Sequence, residues 1–176
     1  MAETAQSNDS FAAATAADGS PRELAARALA ALGPLPQGAN LGFLYATEPL
    51  AEALDEIVEL LRERSGIAEW TGSLGFGVAG CGVEVHDRPA ISILVGRFPE
   101  DSLRPFGPLT PDSPLLTEGD ALWAAEHPPV FGVAHGDPRQ PGLPELLEQA
   151  AAASSTYFVG GLAAATHAWC LDLAGT

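Results

Sequence analysis

Between Glu69 and Pro99 the chain carries three strand-like runs joined by connections too short for anything but antiparallel neighbours. Trp70–Ala79, Val83–His86 and Ala90–Phe98 are apolar or alternating, and only Gly80-Cys81-Gly82 and Asp87-Arg88-Pro89 separate them. A parallel crossover needs about a dozen residues. This stretch therefore commits the chain to a sheet with an antiparallel element.

The flanking segments add helices and further strands. Leu41–Ala46, bounded by Gly38 and Pro49, reads as a buried strand. Next, Leu50, Leu54, Ile57, Val58 and Leu61 recur at helical spacing, while Glu52, Asp55, Glu56, Glu59 and Glu63 form a solvated face. Arg62 and Arg64 suit the C-terminal end of that helix, and Gly66 stops it. An earlier helix starts at Ser20-Pro21-Arg22-Glu23, a capping-box pattern, and ends at Gly33-Pro34. Helices are expected near Glu118–Glu126 and Leu143–Ser154. Strands are expected at Val130–Ala134 and at Tyr157–Val159, the latter ended by Gly160-Gly161, with another strand-like run at Thr166–Leu173. Pro99–Pro114, with five prolines, reads as a surface excursion. Met1–Gly19 has small polar residues, a single Phe11 and no period, so it reads as a disordered leader before one domain over 20–176. The fold class is α/β, a mixed β-sheet with an antiparallel strand pair and flanking helices.

Charge limits the chemistry. The chain has 8 basic residues against 23 acidic ones, a formal charge of −15, and every basic residue is an arginine. Without lysine there is no Schiff base and no Walker-type phosphate contact within this chain. Nucleic acid and anionic membrane surfaces are disfavoured partners, because both need dense positive charge. Alanine inflates the apolar content, with 32 residues, but Leu, Ile, Val and Phe still number 42 of 176. That exceeds the roughly 20 % below which a chain fails to bury a core. Cys81 and Cys170 form no CxxC, Met1–Ala17 lacks a signal-peptide pattern, and no apolar run reaches the roughly 18 residues of a membrane span. A reduced, cytoplasmic compartment is the simplest expectation.

Three motifs need weighing. Gly75-Phe76-Gly77-Val78-Ala79-Gly80 matches G-x-G-x-x-G, but a dinucleotide fold requires a helix opening at the third glycine, and here Val83-Glu84-Val85 alternates like a strand. The glycines are better explained as sites of close approach by a ligand or another backbone. Thr71-Gly72-Ser73-Leu74-Gly75 resembles a nucleophile elbow with Thr in place of its first Gly and no helix after it. Ser73 or Cys81 as the nucleophile of a hydrolase-like enzyme stays a secondary hypothesis. His127, His135, Asp137 and His167 fit no compact metal-ligand spacing, and no cofactor is expected. His135-Gly136-Asp137-Pro138 reads as a turn after a strand, a place where α/β sheets tend to bind ligands. Glu84 and His86 share one strand face.

The ordered set Leu41-Gly42-Phe43-Leu44-Tyr45, the amphipathic helix, Trp70–Gly80, Gly82-Val83-Glu84, Pro89–Leu94, Gly136-Asp137-Pro138, the Leu146-Leu147 helix and Phe158–Ala163 resembles the N-terminal FIST domain, of F-box and intracellular signal transduction proteins. The resemblance spans about Asn40 to Ala165. It implies a noncatalytic sensory module of bacterial signalling proteins and some F-box proteins, binding a small molecule such as an amino acid. It carries no agreed set of binding residues. The candidate ligand-binding residues read from the sequence are Thr71, Gly72, Ser73, Gly75, Glu84, Arg88, His135, Asp137, Arg139, Gly160 and Gly161, with Arg88 or Arg139 placed to meet a ligand carboxylate. Family domains usually continue past such a C-terminus into a C-terminal FIST domain, so a truncated form is one expectation. The expected partners are the ligand, a signalling protein or separate C-terminal FIST domain, and a second copy of the chain; an adaptor subunit needing a partner chain is the remaining alternative.

Overall fold

The computed structural model describes residues 4–7, 10–99, 101–104, 117–128 and 131–163. Within them β1 (Thr4–Ser7), β2 (Phe11–Ala17), β3 (Leu41–Thr47), β4 (Glu69–Gly75) and β7 (Ala90–Gly96) form a five-stranded sheet in the order β1-β2-β7-β3-β4. β3 and β4 are parallel, and the other neighbours are antiparallel. The sheet is mixed, but its antiparallel pairs with β7 join strands distant in sequence and are not those the short connections link.

Two helices cover one face. α1 (Pro21–Leu32) starts with the capping box of Ser20 and Glu23, and α2 (Leu54–Ser65) follows a 3-10 turn at Glu48–Ala53. Leu24, Ala28, Leu54, Ile57 and Leu61 pack with the even-numbered Leu44, Ala46, Trp70 and Leu74 and with Ile91, Ile93 and Val95 in one buried cluster. Alternation along each strand sends the remaining residues to the opposite face. Gly66 closes α2 in the left-handed conformation, its N–H bonding Arg62 O at 2.9 Å.

The N-terminal segment differs from expectation. β2 is no leader: it pairs with β7 over its whole length and contributes Ala12, Ala14 and Ala16 to the core, each at most 1 % exposed. Methyl groups suffice there because α1 packs directly over the strand, and a stripe of alanines carries no strong hydrophobic period.

The run expected as one strand over Trp70–Ala79 breaks at Phe76 into β4 and β5 (Gly77–Gly80). β5 pairs antiparallel with β6 (Val83–His86) as a separate hairpin, and β7 joins β2 and β3 instead of β6. No helix opens at Gly80, so the G-x-G-x-x-G pattern is strand and hairpin. α3 (Glu118–Glu126) has its own capping box at Thr117 and Asp120. β8 (Phe131–Gly136) and β9 (Tyr157–Leu162) pair in parallel around α4 (Leu143–Ser154). Gly160 and Gly161 lie inside β9 and do not end it. Thr166–Leu173 and most of Pro99–Pro114 fall outside the described residues.

Candidate functional site

On the sheet face away from α1 and α2, register aligns a polar row across four strands: Thr15 opposite Ser92, Ser92 opposite Tyr45, and Tyr45 opposite Ser73. The β5–β6 hairpin folds over one end of this row. Thr15 Oγ1 and Ser92 Oγ are hydrogen-bonded at 3.1 Å, and Gly80 lies so close above them that an added Cβ would overlap both hydroxyls. Val78 and Val85 complete the contact by packing on Ala90. The glycine here serves close backbone approach.

The hairpin, the sheet face and the β8–β9 pair together bound a groove of about 730 Å³. Its floor is Phe43, Tyr45, Ser73 and Leu94; one wall is Phe76–Ala79 with Glu84 and His86; the other is Val133, His135 and Val159–Leu162. Tyr45 Oη and His135 Nε2 meet across it at 3.0 Å, with the rings edge to face. At the rim, His86 Nε2 bonds Glu84 Oε1 at 2.7 Å.

The candidate residues divide. Ser73, Gly75, Glu84, His135, Gly160 and Gly161 line the groove. Thr71 is buried in β4, and Gly72 has its missing side chain against the Leu44 carbonyl, so neither belongs to the lining. Arg88 pairs with Asp18 at 2.5 Å, while Arg139 Nε and Asp137 Oδ1 pair at 3.0 Å within the turn after β8. The Arg139 side chain and backbone N–H hold the Asp137 carboxyl below the usual range. None of these three lines the groove, and among the described lining residues there is no arginine. Phe43, Tyr45 and Leu94 were not foreseen. Their signal was alternation: in a strand whose Leu44 and Ala46 face the core, Phe43 and Tyr45 must face away.

Ser73 Oγ donates to Leu74 O at 3.2 Å. Cys81 occupies the β5–β6 turn at a positive φ of 52° and does not line the groove. Among the described residues no three His, Cys, Asp or Glu side chains are grouped to hold a metal, and no helix is long and apolar enough to cross a membrane.

Burial raises the Tyr45 phenol above its ordinary 10.0 and lowers the His135 imidazole below its ordinary 6.5. Tyr45 is 39 % exposed, and its hydroxyl meets His135. Both groups are held neutral, and the sign follows. His135 contributes stability above pH 6.5 and loses it as pH falls toward the lowered folded value; Tyr45 contributes below pH 10 and loses it as pH rises past that. Glu84 and His86 are the other titratable groups on the groove. We expect the melting-temperature difference between wild type and His135→Gln to be constant from about pH 7 to 9 and to shrink below pH 6.5. A difference unchanged down to pH 5 would contradict a neutral, half-buried His135.

An α/β module with a groove between a β-hairpin, a sheet face and a second strand pair is the class these features define. The family model of the FIST N domain matches residues 40–172, most of the chain. The chain belongs to the FIST family, which is consistent with a signalling or sensory domain. β2 and α1 precede the matched span, yet both are part of the core. No curated protein matches the sequence.

Proposed function

We propose that the chain is a noncatalytic, cytoplasmic sensory module that binds a small molecule in the groove and passes the occupancy to a signalling partner or to a C-terminal FIST domain. The observation that carries this reading is the groove itself. Its volume lies within the roughly 300–1,000 Å³ of small-molecule sites, and its walls are mostly apolar with a few convergent polar groups. A noncatalytic role is supported by Ser73, whose hydroxyl goes to a backbone carbonyl and not to a base.

The lining also narrows the ligand. With Glu84 at the rim and no arginine among the described lining residues, a neutral or cationic molecule fits better than a carboxylate. An amino acid would place its ammonium near Glu84 and leave its carboxylate to backbone N–H groups. A ligand changes output only if it favours one state over another, and clasping β8–β9 against the sheet supplies such a difference. A thermal-shift screen of neutral, cationic and anionic small molecules tests the reading. Stabilisation is expected from neutral or cationic compounds with an apolar body; stabilisation confined to anions would overturn the ligand class.

A further inference from the structure

The two parallel strand pairs repeat each other residue by residue. In β3–α2–β4, Gly42 lies against the ring of Trp70 so closely that a Cβ would overlap it; in β8–α4–β9, Gly132 lies in the same way against Phe158. Gly72 has φ +155° and faces the Leu44 carbonyl oxygen, and Gly160 has φ +154° and faces the Ala134 carbonyl oxygen. Leu44 pairs with Gly72, and Ala134 pairs with Gly160. The helices between the strands are the same length, 12 residues. Gly42-Phe43-Leu44-Tyr45 therefore corresponds to Gly132-Val133-Ala134-His135. Trp70-Thr71-Gly72-Ser73-Leu74 likewise corresponds to Phe158-Val159-Gly160-Gly161-Leu162, with the second copy two residues shorter between its marker glycines.

This correspondence puts the groove in a different light. Phe43, Tyr45 and Ser73 line it from the first unit, and their counterparts Val133, His135 and Gly161 line it from the second. Like faces look at each other, and the side-chain hydrogen bond between Tyr45 Oη and His135 Nε2 joins equivalent positions of the two units. Two unrelated structures meeting by chance have no reason to match in their steric glycines, in the aromatic ring each covers, and in the residue that reaches across.

We infer that residues 41–75 and 131–162 are two copies of one βαβ unit, and that the groove is a composite of two equivalent half-sites joined at Tyr45 and His135. The inference deepens the ligand-binding reading and, for its ligand class, rests on it. Each half-site offers an apolar residue two positions before its hydrogen-bonding residue, Phe43 before Tyr45 and Val133 before His135. The fitting molecule is neutral, with an apolar part for each half and a hydrogen-bonding group between them. Tyr45 and His135 are positioning residues for it.

Equivalence is tested by exchange. Tyr45→His and His135→Tyr, singly and together, are compared with wild type in the full chain. One readout is fluorescence titration with N-phenyl-1-naphthylamine, a neutral molecule with two aromatic groups around one N–H. The other is hydrogen exchange of the amides of 131–162. Each single change places like residues opposite each other and is expected to weaken the probe about three- to tenfold, the scale of one net hydrogen bond. The double exchange restores the pair and is expected to return affinity to within about twofold of wild type, with exchange protection restored. A double variant as weak as the product of the two singles in both readouts overturns the inference. A cycle with Tyr45→Phe and His135→Gln measures the same coupling should an exchanged protein fail to fold, and zero coupling there also overturns it. If wild type binds no probe while exchange protection is lost in the singles and regained in the double, the duplication stands and the ligand reading falls.

Discussion

Gly72→Ala is expected to destabilise the protein by at least about 4 kcal/mol, the range reserved for a few drastic mechanisms. Gly72 has φ +155°, a backbone conformation that residues with a Cβ rarely adopt. More decisively, the added methyl would occupy the position of the Leu44 carbonyl oxygen on the neighbouring strand. That oxygen belongs to backbone, so relief requires the edge strand β4 to separate from β3. Native domains are stable by only about 5–15 kcal/mol, and a substantial unfolded fraction is the expected result. Gly160→Ala makes the same collision with Ala134 in β8–β9. Its damage should stay in that unit, raising hydrogen exchange over 131–162 while leaving the five-stranded sheet protected. Gly161→Ala points into open space and should change stability by less than about 0.5 kcal/mol. Chemical denaturation of the three variants separates these outcomes, and a Gly72→Ala cost below about 1 kcal/mol would contradict the close approach.

Trp70→Ala is the second large effect, about 3–5 kcal/mol. Trp70 is fully buried at 0 % exposure, its indole N–H donates to Ile67 O at 3.0 Å, and its ring fills the space left by Gly42. Truncation leaves a cavity between β3 and β4 that backbone cannot close, and it also leaves the Ile67 carbonyl without that donor. At about 2–4 °C per kcal/mol for a chain of this size, the melting temperature should fall by about 6–20 °C. Trp70→Phe, which keeps much of the ring, should cost clearly less. Equal losses for the two variants would show that the ring's volume is not what matters at this position.

How much of this was readable in the sequence depends on what carries the packing. β3 and α2 were legible because Leu44, Ala46, Leu54, Ile57 and Leu61 announce themselves by period. β2 was not, because its buried residues are alanines that count for little on any hydrophobic scale until a helix lies on them. Gly160-Gly161 reads as a stop because glycine usually punctuates a strand; in β9, Gly160 is instead the residue that a neighbouring carbonyl demands. The arginines misled for two reasons. The partner of Arg139 sits two positions away at Asp137, where a local ion pair was visible in principle. Arg88 pairs with Asp18, in a segment whose composition reads as disordered, and only the fold brings the two together. The internal correspondence was present as Gly42 with Gly132 and as an aromatic residue two positions before Gly72 and Gly160. Those marks are too sparse to stand out before backbone geometry gives them a common reason.

The groove is the centre of the functional account, and Gly161 offers the cleanest way to test it. It lines the groove, and a side chain there meets nothing within 4 Å. Gly161→Leu should therefore fill the site without disturbing the fold. The decisive measurement is the thermal shift produced by a stabilising neutral or cationic compound in wild type and in Gly161→Leu. The account predicts equal melting temperatures without ligand and loss of the ligand-induced shift in the variant. An undiminished shift in a folded Gly161→Leu protein would place the ligand elsewhere and contradict the groove as the sensory site.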